Sequence, residues 1–97
     1  MTLEEILRLS QEKKASDIHL SPGSPLMFRI DGELTPQTGH HLTPEETWEA
    51  ISFVMSDEDV RVLKERGELD FAFSLPGLFR VRANVFSQRG TYAAALR

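Results

Sequence analysis

The 97-residue sequence predicts one α+β domain, a mostly antiparallel sheet of about six strands with three helices packed on it. Three observations carry this. Residues 68–75 and 78–86 alternate strictly between apolar and polar side chains, the period of half-buried strands. Thr2-Leu3-Glu4-Glu5 and Thr43-Pro44-Glu45-Glu46 have the S/T-x-x-E form that caps a helix start. Turn signals (Ser21-Pro22-Gly23-Ser24-Pro25, Asp31-Gly32, Pro76-Gly77, Arg89-Gly90) separate the remaining segments.

Taken in order, Thr2 caps a first helix whose inner face is Leu3, Ile6, Leu7 and Ser10. It runs to about Lys14, and Lys13 and Lys14 suit its negative C-terminal end. Residues 15–20 read as a short strand with Ile18 and Leu20 inward. Residues 26–30 form a second strand, which Asp31-Gly32 turns tightly into Glu33-Leu34. Residues 35–42, with Pro36, Gly39, His40 and His41, read as a loop whose histidines take no role. Pro44 sits at the first position of a second helix, where its missing N–H costs nothing. Trp48, Ile51, Ser52 and Met55 mark one face of that helix, broadened by Phe53 and Val54. Ser56-Asp57-Glu58-Asp59 opens a third, its acids favoured by the positive end of the helix dipole. Gly67 suits the residue just beyond it.

The next strand sends Leu69, Phe71, Phe73 and Leu75 inward and Glu68, Asp70, Ala72 and Ser74 outward. After Pro76-Gly77, its partner turns Phe79, Val81, Ala83 and Val85 inward and Arg80, Arg82 and Asn84 outward. If the two pair across an odd-length loop, Asp70 sits opposite or diagonal to Arg80 and Arg82. Ser87-Gln88-Arg89-Gly90 turns the chain into a last strand over residues 91–96.

With 40% hydrophobic residues the chain has enough apolar material for one small core. The absence of cysteine excludes disulfides and thiolate zinc sites and fits a reducing compartment. His19, His40 and His41 have no metal-like spacing with carboxylates, so no metal site is expected. No apolar run approaches the roughly 18 residues of a membrane span. The N-terminus lacks a signal-peptide pattern, so a soluble, cytoplasmic protein is expected. Net charge is −4 but uneven: residues 1–74 carry 7 basic and 15 acidic side chains, whereas residues 75–97 carry four arginines and no acid. An acidic chain with no aromatics interleaved among its arginines argues against nucleic acid as a partner.

Arg80 and Arg82 project in parallel, about 7 Å apart by the strand rise. That spacing suits a carboxylate pair on the next strand or the oxygens of a phosphate chain. Glu68 and Asp70, with Arg80 and Arg82 as predicted neighbours, read as structural ion pairs rather than an acid/base pair. Asp17 and His19 share a strand face with no nucleophile nearby, so a structural hydrogen bond is the expectation there. The phosphate-loop, dinucleotide, nucleophile-elbow and zinc-protease motifs are all missing. No residue is assigned a catalytic role, and this chain by itself does not read as an enzyme.

Two blocks nevertheless resemble a known family. Ala15-Ser16-Asp17-Ile18-His19-Leu20-Ser21, followed by Pro25, Arg29 and Asp31-Gly32, resembles the opening of the type IV pilus retraction ATPases, the PilT/PilU family within the type II/IV secretion ATPases. Glu68-x-Asp70-Phe71-x-Phe73, Pro76-Gly77 and Arg80-x-Arg82-x-Asn84-x-Phe86-x-Gln88-Arg89-Gly90 resemble its second signature, in the same order. The resemblance implies a PAS-like N-terminal domain over residues 1–97, with a RecA-like ATPase domain expected downstream and absent here. It implies a cytoplasmic homohexameric motor at the inner membrane under the pilus, using ATP with Mg to drive retraction and twitching motility. This domain would move against its own ATPase core and neighbouring subunits, with the inner-membrane platform an indirect partner. The nucleotide-phosphate contacts would match Arg80 and Arg82, with Arg97 a further candidate; the isolated domain would hold no cofactor. The pilus-assembly and type II secretion ATPases share the Ser-Asp-Ile-His stretch, and a stand-alone PAS-like sensor is a third reading.

Overall fold

Each helix starts on a reciprocal capping box. Thr2 with Glu5, Thr43 with Glu46, and Ser56 with Asp59 exchange side-chain and backbone bonds of 2.8–3.1 Å, satisfying N–H groups that a helix start leaves free. In the computed structural model, which describes residues 1–97, the elements are α1 (Leu3–Glu12), β1 (Asp17–Leu20), β2 (Pro25–Ile30), β3 (Glu33–His41), α2 (Pro44–Ser52), α3 (Asp57–Arg66), β4 (Glu68–Ser74), β5 (Arg80–Gln88) and β6 (Thr91–Leu96). Gly67 ends α3 at φ 80°, its N–H donating to the Leu63 carbonyl at 2.7 Å. The β2–β3 and β5–β6 hairpins close on Asp31-Gly32 and Arg89-Gly90. In both, the two turn residues have positive φ, which matches the right-handed twist of the strands.

The strands form one antiparallel sheet in the order β3-β2-β1-β6-β5-β4. Two meanders, β1-β2-β3 and β4-β5-β6, meet where the last strand lies against the first, with Ile18 opposite Leu96. The helices cover one face only. Leu3, Ile6 and Leu7 of α1, Ile51 of α2 and Leu63 of α3 share a core with Ile18, Leu20, Leu26, Phe28, Val81, Ala83, Val85, Ala94 and Leu96 of the sheet. Burying a side chain such as Phe28 contributes about 1.5–3 kcal/mol. The buried hydroxyls are satisfied: Ser10 donates to the Leu7 carbonyl at 2.7 Å and Thr47 to the Thr43 carbonyl at 3.0 Å.

The fold class and element order match the sequence expectation, and several local expectations change; α1, for one, ends at Glu12 with Lys13 as its cap rather than at about Lys14. Residues 35–41 belong to β3 rather than to a loop. They pair with β2 through a register shift beside Met27, and Pro36 is tolerated because β3 is an edge strand. β1 begins at Asp17, not residue 15. Phe79 lies in the β4–β5 turn, 40% exposed, because β5 starts only at Arg80. The interior has no room for a ligand: the void lined by residues such as Leu20, Phe71 and Val85 is about 10 Å³, barely one water. No helix is long and apolar enough to cross a membrane.

Candidate functional site

The face of the sheet opposite the helices is where the charged residues gather. Period-2 alternation forces this: once Val81, Ala83 and Val85 turn to the core, Arg80, Arg82 and Asn84 turn away from it. Register then aligns residues from distant parts of the chain. Arg82 and Arg97 exchange two backbone hydrogen bonds of 2.8 Å, which sets them directly opposite one another on β5 and the end of β6. The β1–β6 register continues that line to Asp17, and the β1–β2 register to Arg29. One transverse row across the face therefore reads Arg29, Asp17, Arg97, Arg82. Arg80 stands next along β5, opposite Ser74.

Asp17 is the only acid in that row. Its side chain is 18% exposed; Oδ2 accepts from Arg29 Nε at 3.0 Å, and Oδ1 lies 3.7 Å from Arg97 Nε. Arg29 is held a second time, donating from Nη1 to the Gly32 carbonyl at 3.0 Å. Arg97 is tethered at one end only, with 77% of its side chain in solvent. Arg80 and Arg82 are exposed and form no ion pair or side-chain hydrogen bond. Three predicted phosphate-contact residues thus converge as a cluster of guanidiniums with most of their donors free.

The predicted ion pairs of Glu68 and Asp70 with Arg80 and Arg82 do not form. The β4–β5 register sets Asp70 opposite Asn84, with Arg82 opposite Ala72 and only diagonal to Asp70. Both carboxylates instead accept from the Asn84 amide, Glu68 Oε1 at 3.0 Å and Asp70 Oδ1 at 2.7 Å. One neutral amide with two N–H donors bridges two like charges, leaving the arginines unneutralised. The expected Asp17–His19 hydrogen bond is absent as well, because the arginines take Asp17. His19 Nε2 is buried with no partner, between Met27 and Ala95 in register.

Sequence patterning did not single out Arg29 and Asp17 as members of this cluster; their link to Arg97 needs the β1–β6 pairing, which no local signal announces. His40, given no role, lies 2.7 Å from Glu46 Oε1. That contact and the Thr43 backbone N–H hold the Glu46 carboxyl well below its usual range, at about 2. No group of three or more His, Asp or Glu could hold a metal ion.

Chemically, the open face offers positive charge and fork-shaped donors. Such a face can hold an anion through charge and paired N–H donors.

The whole chain matches two curated proteins of Pseudomonas aeruginosa. It is 36% identical over 97 residues to the type IV pilus ATPase PilU and 35% identical over 97 residues to the type IV pilus retraction ATPase PilT. It spans 25% and 28% of their respective lengths. Among solved structures, a pilus retraction motor PilT with bound ADP superposes on all of this chain with a TM-score of 0.92 at 45% identity, over 29% of its own length. No protein-family model matches.

Proposed function

Since the chain belongs to the PilT/PilU family of type IV pilus retraction ATPases, aligning end to end with their N-terminal domain, we propose that it serves as the nucleotide-completing, moving part of a pilus retraction motor. The observation that carries the reading is the cluster of Arg80 and Arg82, both unpaired, with Arg97, whose one ion pair is a 3.7 Å contact to Asp17, on an otherwise acidic chain.

In this reading a RecA-like core, on its own subunit or a neighbour in a homohexamer, holds ATP. The open sheet face closes on the phosphates from the other side. Guanidiniums spread over about 7 Å match the oxygens of a triphosphate, and they stabilise charge without proton transfer. Mg²⁺ finds no cluster of ligands on this chain, so it would sit with the core. The face binds anions weakly alone because it is flat and wet; closure strengthens each contact by excluding water. The motor would act at the cytoplasmic side of the inner membrane, below the pilus.

The experiment is complementation. A retraction motor carrying this chain as its N-terminal domain is expressed in a twitching-deficient strain that lacks its own. Restored twitching is expected. An ATPase-active protein that restores pilus assembly or secretion but not retraction would overturn the assignment.

A further inference from the structure

On the helix side, away from the arginine row, a surface groove of about 620 Å³ opens between the start of α1 and the outer face of α2. Its α2 wall is Glu46, Glu49, Ala50 and Phe53, spaced i, i+3, i+4, i+7, so one continuous helical stripe faces the opening. Phe53 is 70% exposed there, and Met1, 65% exposed, stands on the α1 side. The floor is the outer edge of the core, including Ile6 and Leu26. The rim carries four glutamates, the two from α1 being Glu4 and Glu5, and no lysine or arginine.

We infer that this groove docks a basic amphipathic helix of another protein. Such a helix would set one large apolar side chain against Phe53 and place lysines or arginines one turn to either side, over Glu49 and toward α1. Charge decides the class of partner. Anionic lipid surfaces and phosphate ligands meet four carboxylates, despite the two helix N-termini at the groove. The capping box with Thr2 keeps the Glu5 carboxyl below the usual range, and the His40 contact together with the Thr43 capping box does the same for Glu46, so both stay charged at any physiological pH. Glu4 is partly neutralised by Arg8 at 3.0 Å, whereas Glu49 has no partner and is the free charge of the rim. Geometry decides the shape. The stripe is about 10 Å long, two helical turns, and Ala50 at its centre lets another helix approach closely. The inference does not rest on the nucleotide reading, since groove and arginine row are on opposite faces of the sheet.

The test uses the 97-residue chain and a fluorescein-labelled 14-residue amphipathic helix of leucine and lysine, with a leucine–glutamate peptide of the same pattern as control. Fluorescence anisotropy gives the affinity, and amide chemical-shift mapping gives the place. The expected result is binding of the lysine peptide with shifts confined to α2 and the start of α1. It should weaken at least 10-fold on Phe53→Ser, about 5-fold on Glu49→Lys, and further when salt is raised from 0.1 to 0.5 M. Both side chains are exposed, so unchanged thermal midpoints should show that these variants stay folded. Equal binding of the glutamate peptide, shifts spread over the acids of α3, or indifference to both substitutions would overturn the proposal. Self-association of the chain that Phe53→Ser abolishes would overturn it too, by making a second copy the occupant.

Discussion

Replacing Asp17 by Asn tests whether one carboxylate organises the arginine row. The substitution keeps size and shape and removes the charge that meets Arg29 Nε at 3.0 Å and Arg97 Nε at 3.7 Å. A hydrogen bond to a charged group contributes roughly 1.5–3 kcal/mol when shielded, and an exposed ion pair roughly 0.2–1. With Asp17 at 18% and Arg29 at 36% exposure, the pair falls between these regimes. The expected loss is therefore about 1–2 kcal/mol. For a domain of this size that lowers the thermal midpoint by about 5–15 °C. Circular dichroism melts at pH 7 measure it. Arg29→Gln should cost nearly as much, whereas Arg97→Gln should cost little, its contact being long and its side chain 77% exposed. An unchanged midpoint in Asp17→Asn, or an Arg97→Gln loss as large as that of Arg29→Gln, would refute the geometry as the cause.

Two further outcomes follow from the site and its surroundings. Because the Glu46 carboxyl is lowered from 4.5 to about 2, folding is favoured by its charge above pH 4.5, and that contribution is lost as pH falls toward 2. Carboxyl-carbon NMR should show Glu46 titrating near 2, and Glu46→Gln should flatten stability relative to wild type across that window; titration near 4.5 would contradict the His40 contact. Asn84→Asp would set a third carboxylate between Glu68 and Asp70. It should cost about 1–2 kcal/mol at pH 7 by denaturant unfolding, with most of the loss relative to wild type recovered at pH 3.5, and no pH-dependent recovery would argue against the amide bridge.

Much of the fold was legible because local chemistry and global structure agree. Thr2, Thr43 and Gly67 mark helix ends in the sequence and do so in the structure, and alternation over residues 80–85 separates core from open face. What failed depended on partners distant in the chain. Residues 35–41 look like a loop because of Pro36 and Gly39, and become a strand only because β2 offers an edge with a register shift. Glu68 and Asp70 look like partners for arginine because opposite charges on neighbouring strands invite pairing. The five-residue connection over 75–79 fixes a register that gives them Asn84 instead. The row from Arg29 to Arg82 was invisible for the same reason: it exists only once β6 is inserted between β1 and β5. The free state of Arg80 and Arg82 is thus a property of register.

The most direct measurement is ATP turnover by a retraction motor carrying this domain, wild type against Arg82→Ala, with thermal unfolding of the domain measured alongside. Arg82 is exposed and unpaired here, so its removal should leave the unfolding midpoint unchanged. Loss of a charge-assisted contact to a triphosphate is worth roughly 1.5–3 kcal/mol, so turnover should fall about 10-fold or more. Turnover equal to wild type in a folded Arg82→Ala motor would contradict the central claim that the open sheet face completes a nucleotide site.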